Sequence, residues 1–254
     1  MSNTPEWFTL GERASQVVMS RVASAVCDES MPIQVRFAPR LAHWFLLDSL
    51  LLANQANRQG MHANALSLTR QCFEAIGIIE LGICGHPDAS STLQRWDKDE
   101  LTQGKLRAWL EANVWPGYGT GLWQESWPSF MRQFAAALQP YAHYSAHLAQ
   151  WQVRLLPDAG QDLQEGDETT KIIAIAPRAY DAQKATRITL IHAIFTYTLG
   201  RIVLAARNDT ELAQVVLKLG RALSKSRYLD GHATDWSQQF WAMLWSTDGA
   251  TVLE

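Results

Sequence analysis

Apolar residues recur at helical spacing along most of the chain, usually three or four positions apart. This spacing places them on one face of an α-helix, so it predicts a mainly helical fold. Eight or nine helices are expected. The predicted segments cover residues 10–27, 40–58, 62–84, 97–113, 126–139, a bent piece after Pro140, 180–206, 210–226 and 235–246.

One region departs from this spacing. The runs "WQVRLL" and "KIIAIA" are short and contain β-branched residues, and an acidic stretch separates them. Such a pattern predicts a small β-hairpin near residues 151–176. The expected fold class is therefore mainly α, a helical bundle with one hairpin. A chain of 254 residues with 47% hydrophobic content can bury one core, so residues 1–254 are predicted to form a single domain.

Two sequence signals predict where helices begin and end. Gly60 follows the second helix and is typical of a residue that stops a helix in the left-handed conformation. The sequence "DKDE" has Asp97 three positions before Glu100, which is the spacing of a capping box. We expect Asp97 to begin a helix that ends near Asn113.

Composition excludes several classes of protein. A formal net charge of −3 gives no overall attraction for nucleic acid, and three cysteines without C-x-x-C spacing predict reduced thiols in a cytoplasmic protein. The N-terminus lacks the pattern of a secretory signal. Residues 188–206 are apolar, but His192 and Arg201 favour a buried core helix over a membrane span. We find no phosphate-binding loop or catalytic signature, and predict no cofactor and no bound metal.

The segment "SLTRQCFEAIGII" carries Arg70 and Glu74 one turn apart among apolar residues. Apolar residues lie on every side of this helix, so the two charges are expected to be largely buried. A buried ion pair needs partners, because removal of one charge strands the other. Two interpretations stay open: a brace that fixes helix register, or a functional pocket.

The stretch "YAHYSAH" supplies candidate partners for this pair. His143 and His147 are four residues apart, which would place them on one face of a helix. We expect one connected polar cluster that contains Arg70, Glu74 and at least one of Tyr144 or His147. Asp48, which lies among leucines in the second helix, is a further candidate partner for Arg70. His143 and His147 could also hold a metal with Glu74.

Several of these segments together resemble a known family. "ALSLTRQCFEAIGIIELG", then "YAHYSAH", then "APRAYDAQKATRITLIHAIFTYTL" look like a group of bacterial all-helical proteins that resemble HEPN-type modules. The likeness covers roughly residues 40–206. The resemblance implies a HEPN-like fold and places an R-x-x-x-E motif and a Tyr/Ser/His motif on these residues: Arg70, Glu74, Tyr144, Ser145 and His147.

HEPN-type ribonucleases, which the resemblance brings into consideration, use an arginine and a histidine with four to six residues between them. Three such pairs occur in this chain. Arg227 with His232 is the main catalytic candidate, although Gly231 interrupts the segment. The other two pairs are Arg36 with His43 and Arg187 with His192.

The helix near residues 210–226 carries a basic stripe of Lys218, Arg221 and Lys225. This stripe either contacts phosphates or is the solvent-facing side of an amphipathic helix. Together with the aromatic residues near the C-terminus, it predicts a surface for pairing, so a homodimer is expected.

The function expected from the sequence is a binding or interaction module. The HEPN resemblance implies a cytoplasmic protein with a protein partner, in a defence or stress-response system. One alternative is a metal-independent endoribonuclease that uses an Arg/His pair and binds RNA. A second alternative is a metal-dependent hydrolase built on His143, His147 and Glu74.

Overall fold

The computed structural model describes residues 6–27, 32–33, 35–152, 154–155, 161–165, 168–172, 175–176 and 180–226. The prediction of a mainly helical bundle is confirmed in this part of the chain. Its helices are α1 (Glu6–Val26), α2 (Phe37–Arg58), α3 (His62–Ile83), α4 (Ala89–Asp97), α5 (Gln103–Asn113), α6 (Trp127–Leu138), α7 (Ala146–Gln150), α8 (Ala182–Ala206) and α9 (Thr210–Ser224).

Short strands lie in the region where the hairpin was predicted. β2 (Gln161–Glu165) pairs antiparallel with β3 (Glu168–Ile172), and Gln161 lies opposite Ile172. The two-residue strands β1 (Arg154–Leu155) and β4 (Ile175–Ala176) also pair antiparallel.

The helices α2 and α3 form an antiparallel pair at the centre of the bundle. Gly60 joins them with a φ of 75°, a left-handed conformation that glycine adopts readily, so the predicted stop after the second helix is confirmed. At the other end of the pair the backbone of α3 comes very close to α2. A Cβ added at Gly82 would lie 2.2 Å from Cγ of Pro39.

The helix α8 is the second element of the core and packs against α1, α3 and α9. It is apolar over most of its circumference because it is enclosed by other helices. In the described part of the chain, Lys184–Ala206 is the one helix long and apolar enough to cross a membrane, and 78% of its most apolar window is buried. A core helix satisfies the same criterion, so its composition alone is weak evidence for a membrane span.

The predicted capping box at Asp97 is wrong. Asp97 is the last residue of α4, and Asp99 follows with a left-handed φ of 57°. The apolar side chains Leu93 and Trp96 pack on the core and extend α4 as far as Asp97. The helix α5 begins later, and its N-cap is the Thr102 side chain, which accepts a hydrogen bond from the backbone N–H of Lys105.

Candidate functional site

A large cavity, the central cavity, lies between α2, α3 and α5. Its volume is about 960 Å³. Aromatic and aliphatic side chains form most of its wall, among them Phe37, Leu41, Phe45, Trp96, Leu106, Leu110 and Met131. The polar and charged residues of its lining are Arg70, Gln71, Glu74, Glu80, Asp97, Thr102, Gln103, Arg107, Gln139 and His143.

The Arg70–Glu74 pair is part of the wall of this cavity. Nη1 of Arg70 lies 2.9 Å from Oε1 of Glu74, and Nη2 donates a longer hydrogen bond of 3.4 Å to Oε1 of Gln139. Arg70 is buried, but 39% of the Glu74 side chain is exposed. The prediction that both charges are largely buried is therefore confirmed for Arg70 and wrong for Glu74.

The exposure of Glu74 follows from the position of α3 in the bundle. Most of α3 is enclosed, but Asn64 and Gln71 are exposed along one edge, and Glu74 continues that edge. Apolar residues elsewhere on the helix do not close this side because the central cavity opens there. The ion pair thus belongs to a pocket rather than to a sealed core.

A second arginine lies near the same pair. Arg107 on α5 also lines the central cavity. Burial lowers the pKa of Arg107, and the positive charge of Arg70 lowers it further, whereas Glu74 and Glu111 act in the opposite direction. Two guanidinium groups therefore lie within electrostatic range of the Glu74 carboxylate.

Glu80 is a further acidic residue in the lining of the cavity, and sequence reasoning missed it. Its side chain is fully buried, and both carboxyl oxygens lie 3.1 Å from the donating indole Nε1 of Trp115. Burial raises the pKa of Glu80 to about 7, while the hydrogen bonds from Trp115 offset part of this rise. The signal in the sequence was one glutamate within the apolar run "AIGIIELGI".

The predicted contribution of "YAHYSAH" needs correction. Ser145 has an extended backbone and begins α7, so His143 and His147 do not share a helix. Its hydroxyl accepts from the N–H of Leu148 and donates to the carbonyl of Pro140. The cap forms because a serine side chain satisfies helix donors at this position better than a continued turn would.

These residues also differ in their position around the cavity. His143 and His147 are both exposed and both border a shallow hollow beside Pro140, but of the two only His143 also lines the central cavity. Tyr144 is 75% exposed, and its hydroxyl donates to Gln152. Gln139, two positions before this segment, accepts the hydrogen bond from Arg70, and Tyr144 bonds to Gln152 instead of joining Arg70. Participation of His147 in the predicted cluster stays a prediction.

Asp48 is not a partner of Arg70 in a closed core. It is exposed on α2, because the leucines around it, Leu47, Leu51 and Leu52, are themselves exposed. The expectation of a stranded carboxylate came from treating these leucines as core residues.

The proposed metal ligands are not arranged as a site. No group of three His, Cys, Asp or Glu residues in the described part of the chain is placed to hold a metal ion. His143 and His147, the two nitrogen ligands of that hypothesis, belong to different backbone segments.

The three Arg/His pairs of the ribonuclease hypothesis lie in different structural settings. Five positions on a helix correspond to a rotation of about 140°, so Arg187 and His192 on α8 point to different sides. His192 is buried, with Nε2 2.9 Å from Oγ1 of Thr69, and burial lowers its pKa to about 4. His43 is also buried, and burial lowers its pKa as well. Arg227 and His232 lie outside the described residues, so the main catalytic candidate stays a prediction.

The basic stripe lies on the exposed side of α9. Lys218, Arg221 and Lys225 are exposed, whereas Leu212 and Leu219 are buried against the core. This arrangement is that of an amphipathic surface helix. Contact of the stripe with phosphates stays a prediction.

The comparisons with known proteins add no relative. No protein-family model matches the chain, and no curated protein and no solved structure is similar to it.

The exposure of Glu74 changes the expected effect of replacing it. We predict that Glu74→Gln lowers the free energy of unfolding by about 1 kcal/mol or less, because solvent screens a half-exposed ion pair. Urea denaturation at neutral pH measures this change. Glu111→Gln, which removes the carboxylate that pairs with Arg132, is the matched control. A loss of about 3 kcal/mol or more would show that Arg70 depends on Glu74 as in a sealed core.

Proposed function

We propose that this protein is a HEPN-like helical binding module with a small β-hairpin, and that the central cavity is its ligand-binding site. The observation that carries the proposal is an apolar cavity of about 960 Å³ with a buried arginine and a buried glutamate in its wall. A few polar groups in a largely apolar cavity are typical of ligand-binding sites.

The volume favours a small molecule as ligand. Binding pockets for small molecules range from roughly 300 to 1,000 Å³. The aromatic and aliphatic wall would supply affinity through burial of apolar surface, and the polar residues would fix the orientation of the ligand. Arg70, Glu74 and Gln139 are held by one another, so these groups are positioned before a ligand enters.

Filling the cavity tests the proposal. Ala42 lines the cavity from α2 and is partly buried, so Ala42→Trp places a large ring in the binding space. We predict that the wild-type protein binds the neutral apolar dye Nile red with a rise in fluorescence. Ala42→Trp should weaken this binding by at least about ten-fold, equivalent to about 1.4 kcal/mol, because the dye loses much of the space it occupies.

Ala112→Trp is the control for this experiment. Ala112 is exposed on α5 and does not line the cavity, so the added ring should leave dye binding unchanged. Circular dichroism and urea denaturation verify that both variants fold. Equal dye binding by wild type and Ala42→Trp, with both proteins folded, would remove the central cavity from the proposed function.

Other expectations rest on the HEPN resemblance and, for the homodimer, also on the basic stripe and the C-terminal aromatic residues. They are a homodimer, a protein partner within a defence or stress-response system, and the alternative of RNA cleavage by Arg227 and His232. The C-terminal aromatic residues and both catalytic candidates lie outside the described residues. Each of these expectations stays a prediction.

A further inference from the structure

Arg70, in the wall of the central cavity, has more hydrogen-bond donors than the neighbouring acceptors use. Arg70 is 7% exposed, and its Nε has no hydrogen-bond partner in the described part of the chain. Its contact with Gln139 is long, at 3.4 Å, and Glu74 lies near Nη1. A guanidinium carries five N–H donors, so a buried arginine with this environment has capacity for a further acceptor.

The charges around Arg70 also favour an anion. Arg107 lines the same cavity within electrostatic range of Arg70, and Glu74 is the carboxylate that interacts with both. Glu80 already accepts from Trp115, and Asp97 is exposed at the rim. Two guanidinium groups therefore adjoin the half-exposed carboxylate of Glu74, and Glu111, which acts on Arg107, lies outside the cavity lining. Arginine binds carboxylate and phosphate groups through paired N–H donors.

The rest of the cavity has a different character. Phe37, Leu41 and Phe45 line it from α2, and each of them is also partly exposed to solvent. They form an apolar wall that runs along the helix from the region of Arg70 towards the first turn of α2. A ligand in the cavity would therefore meet the guanidinium groups of Arg70 and Arg107 and the apolar side chains that α2 contributes.

We propose that the central cavity binds an anionic amphiphile, with its carboxylate or phosphate head at Arg70 and Arg107 and its apolar body along Phe37, Leu41 and Phe45. This inference rests on the proposed function, because it assigns a ligand class to the same cavity. Charge complementarity at the two arginines and the apolar side chains contributed by α2 support this occupant.

Calorimetric titration with four ligands of equal chain length tests the ligand class. Decanoate and decyl phosphate carry the anionic heads, 1-decanol is neutral, and decylammonium is cationic. Wild-type protein is expected to bind at least one anionic ligand at least about ten-fold more tightly than the neutral and cationic ones. The stronger of the two anionic ligands identifies the head group.

Replacement of Arg107 tests the assigned position of the head. Arg107→Gln should weaken binding of the preferred anion by at least about ten-fold and leave 1-decanol binding unchanged. Arg95→Gln removes the same charge from an exposed position on α4 outside the cavity and is the matched control. Arg70→Gln should act like Arg107→Gln, but Arg107 decides the test because it is only partly buried, and circular dichroism verifies that the variant folds.

The outcomes separate this inference from the proposed function. Equal affinity for anionic and neutral ligands, or equal effects of Arg107→Gln and Arg95→Gln, would overturn the anionic ligand class while dye binding still supports the cavity as a site. Tight binding of an acidic amphipathic peptide without binding of either anionic amphiphile would also overturn it. If the wild-type protein does not bind the dye, the proposed function itself is overturned.

Discussion

Glu80→Gln is expected to stabilise the protein at pH 8 by about 3 kcal/mol. Burial raises the pKa of Glu80 in the folded state from 4.5 to about 7, so between these pH values the folded protein holds a proton that the unfolded chain releases, and at pH 8 it bears the cost of a buried carboxylate. The carboxyl costs no stability below pH 4.5, and the cost grows as pH rises towards 7. Glutamine retains a carbonyl oxygen for the indole of Trp115 and removes the buried negative charge.

Urea denaturation at pH 5 and pH 8 measures this effect. The stabilisation by Glu80→Gln should be large at pH 8 and small at pH 5. Glu100→Gln, at an exposed position between α4 and α5, serves as the control. Lower stability of Glu80→Gln than of wild type at pH 8 would mean that Glu80 is ionised and compensated in the folded protein.

Acidification is expected to destabilise the protein through His192, by roughly 3 kcal/mol between pH 7 and pH 4. Burial lowers the pKa of His192 from 6.5 to about 4, so the folded state keeps the ring neutral while the unfolded state takes up a proton. This stability is fully present above pH 6.5 and is lost as pH falls towards 4. His62, whose pKa is also lowered to about 4, acts in the same direction.

His192→Gln isolates this contribution. Glutamine has hydrogen-bonding atoms for Thr69 and Asn54 but does not titrate, so the variant should lose less stability than wild type over the same pH range. His147→Gln, at an exposed position, is the control. Parallel pH profiles for wild type and His192→Gln would show that the ring is not held neutral by the fold.

The sequence was sufficient for most of the helical framework because long helices have strong apolar periodicity. The observed bounds of α2, α3, α8 and α9 lie within a few residues of those predicted, and Gly60 forms the expected turn. The capping-box signature at Asp97 failed because Leu93 and Trp96 pack on the core and extend the preceding helix. At this position tertiary packing outweighs the local preference for a helix N-cap.

The site was predictable only in part. Arg70 and Glu74 were found because two charges in an apolar helix are unusual, and their contact depends only on helical spacing. Arg107, Gln139 and Trp115 come from distant positions in the chain, and spacing within one helix carries no information about such contacts. His143 and His147 were misplaced because Ser145 could cap a helix or continue one, and the local sequence did not distinguish the two.

A crystal structure of the protein with 10-bromodecanoate would test the central cavity most directly as a ligand-binding site. The carboxylate is expected within hydrogen-bond distance of Arg70 or Arg107. The anomalous signal of bromine should then lie against Phe37 or Leu41, in the apolar part of the cavity. A bromine signal confined to other surfaces of a folded protein, with no ligand in the central cavity, would contradict the proposed binding site.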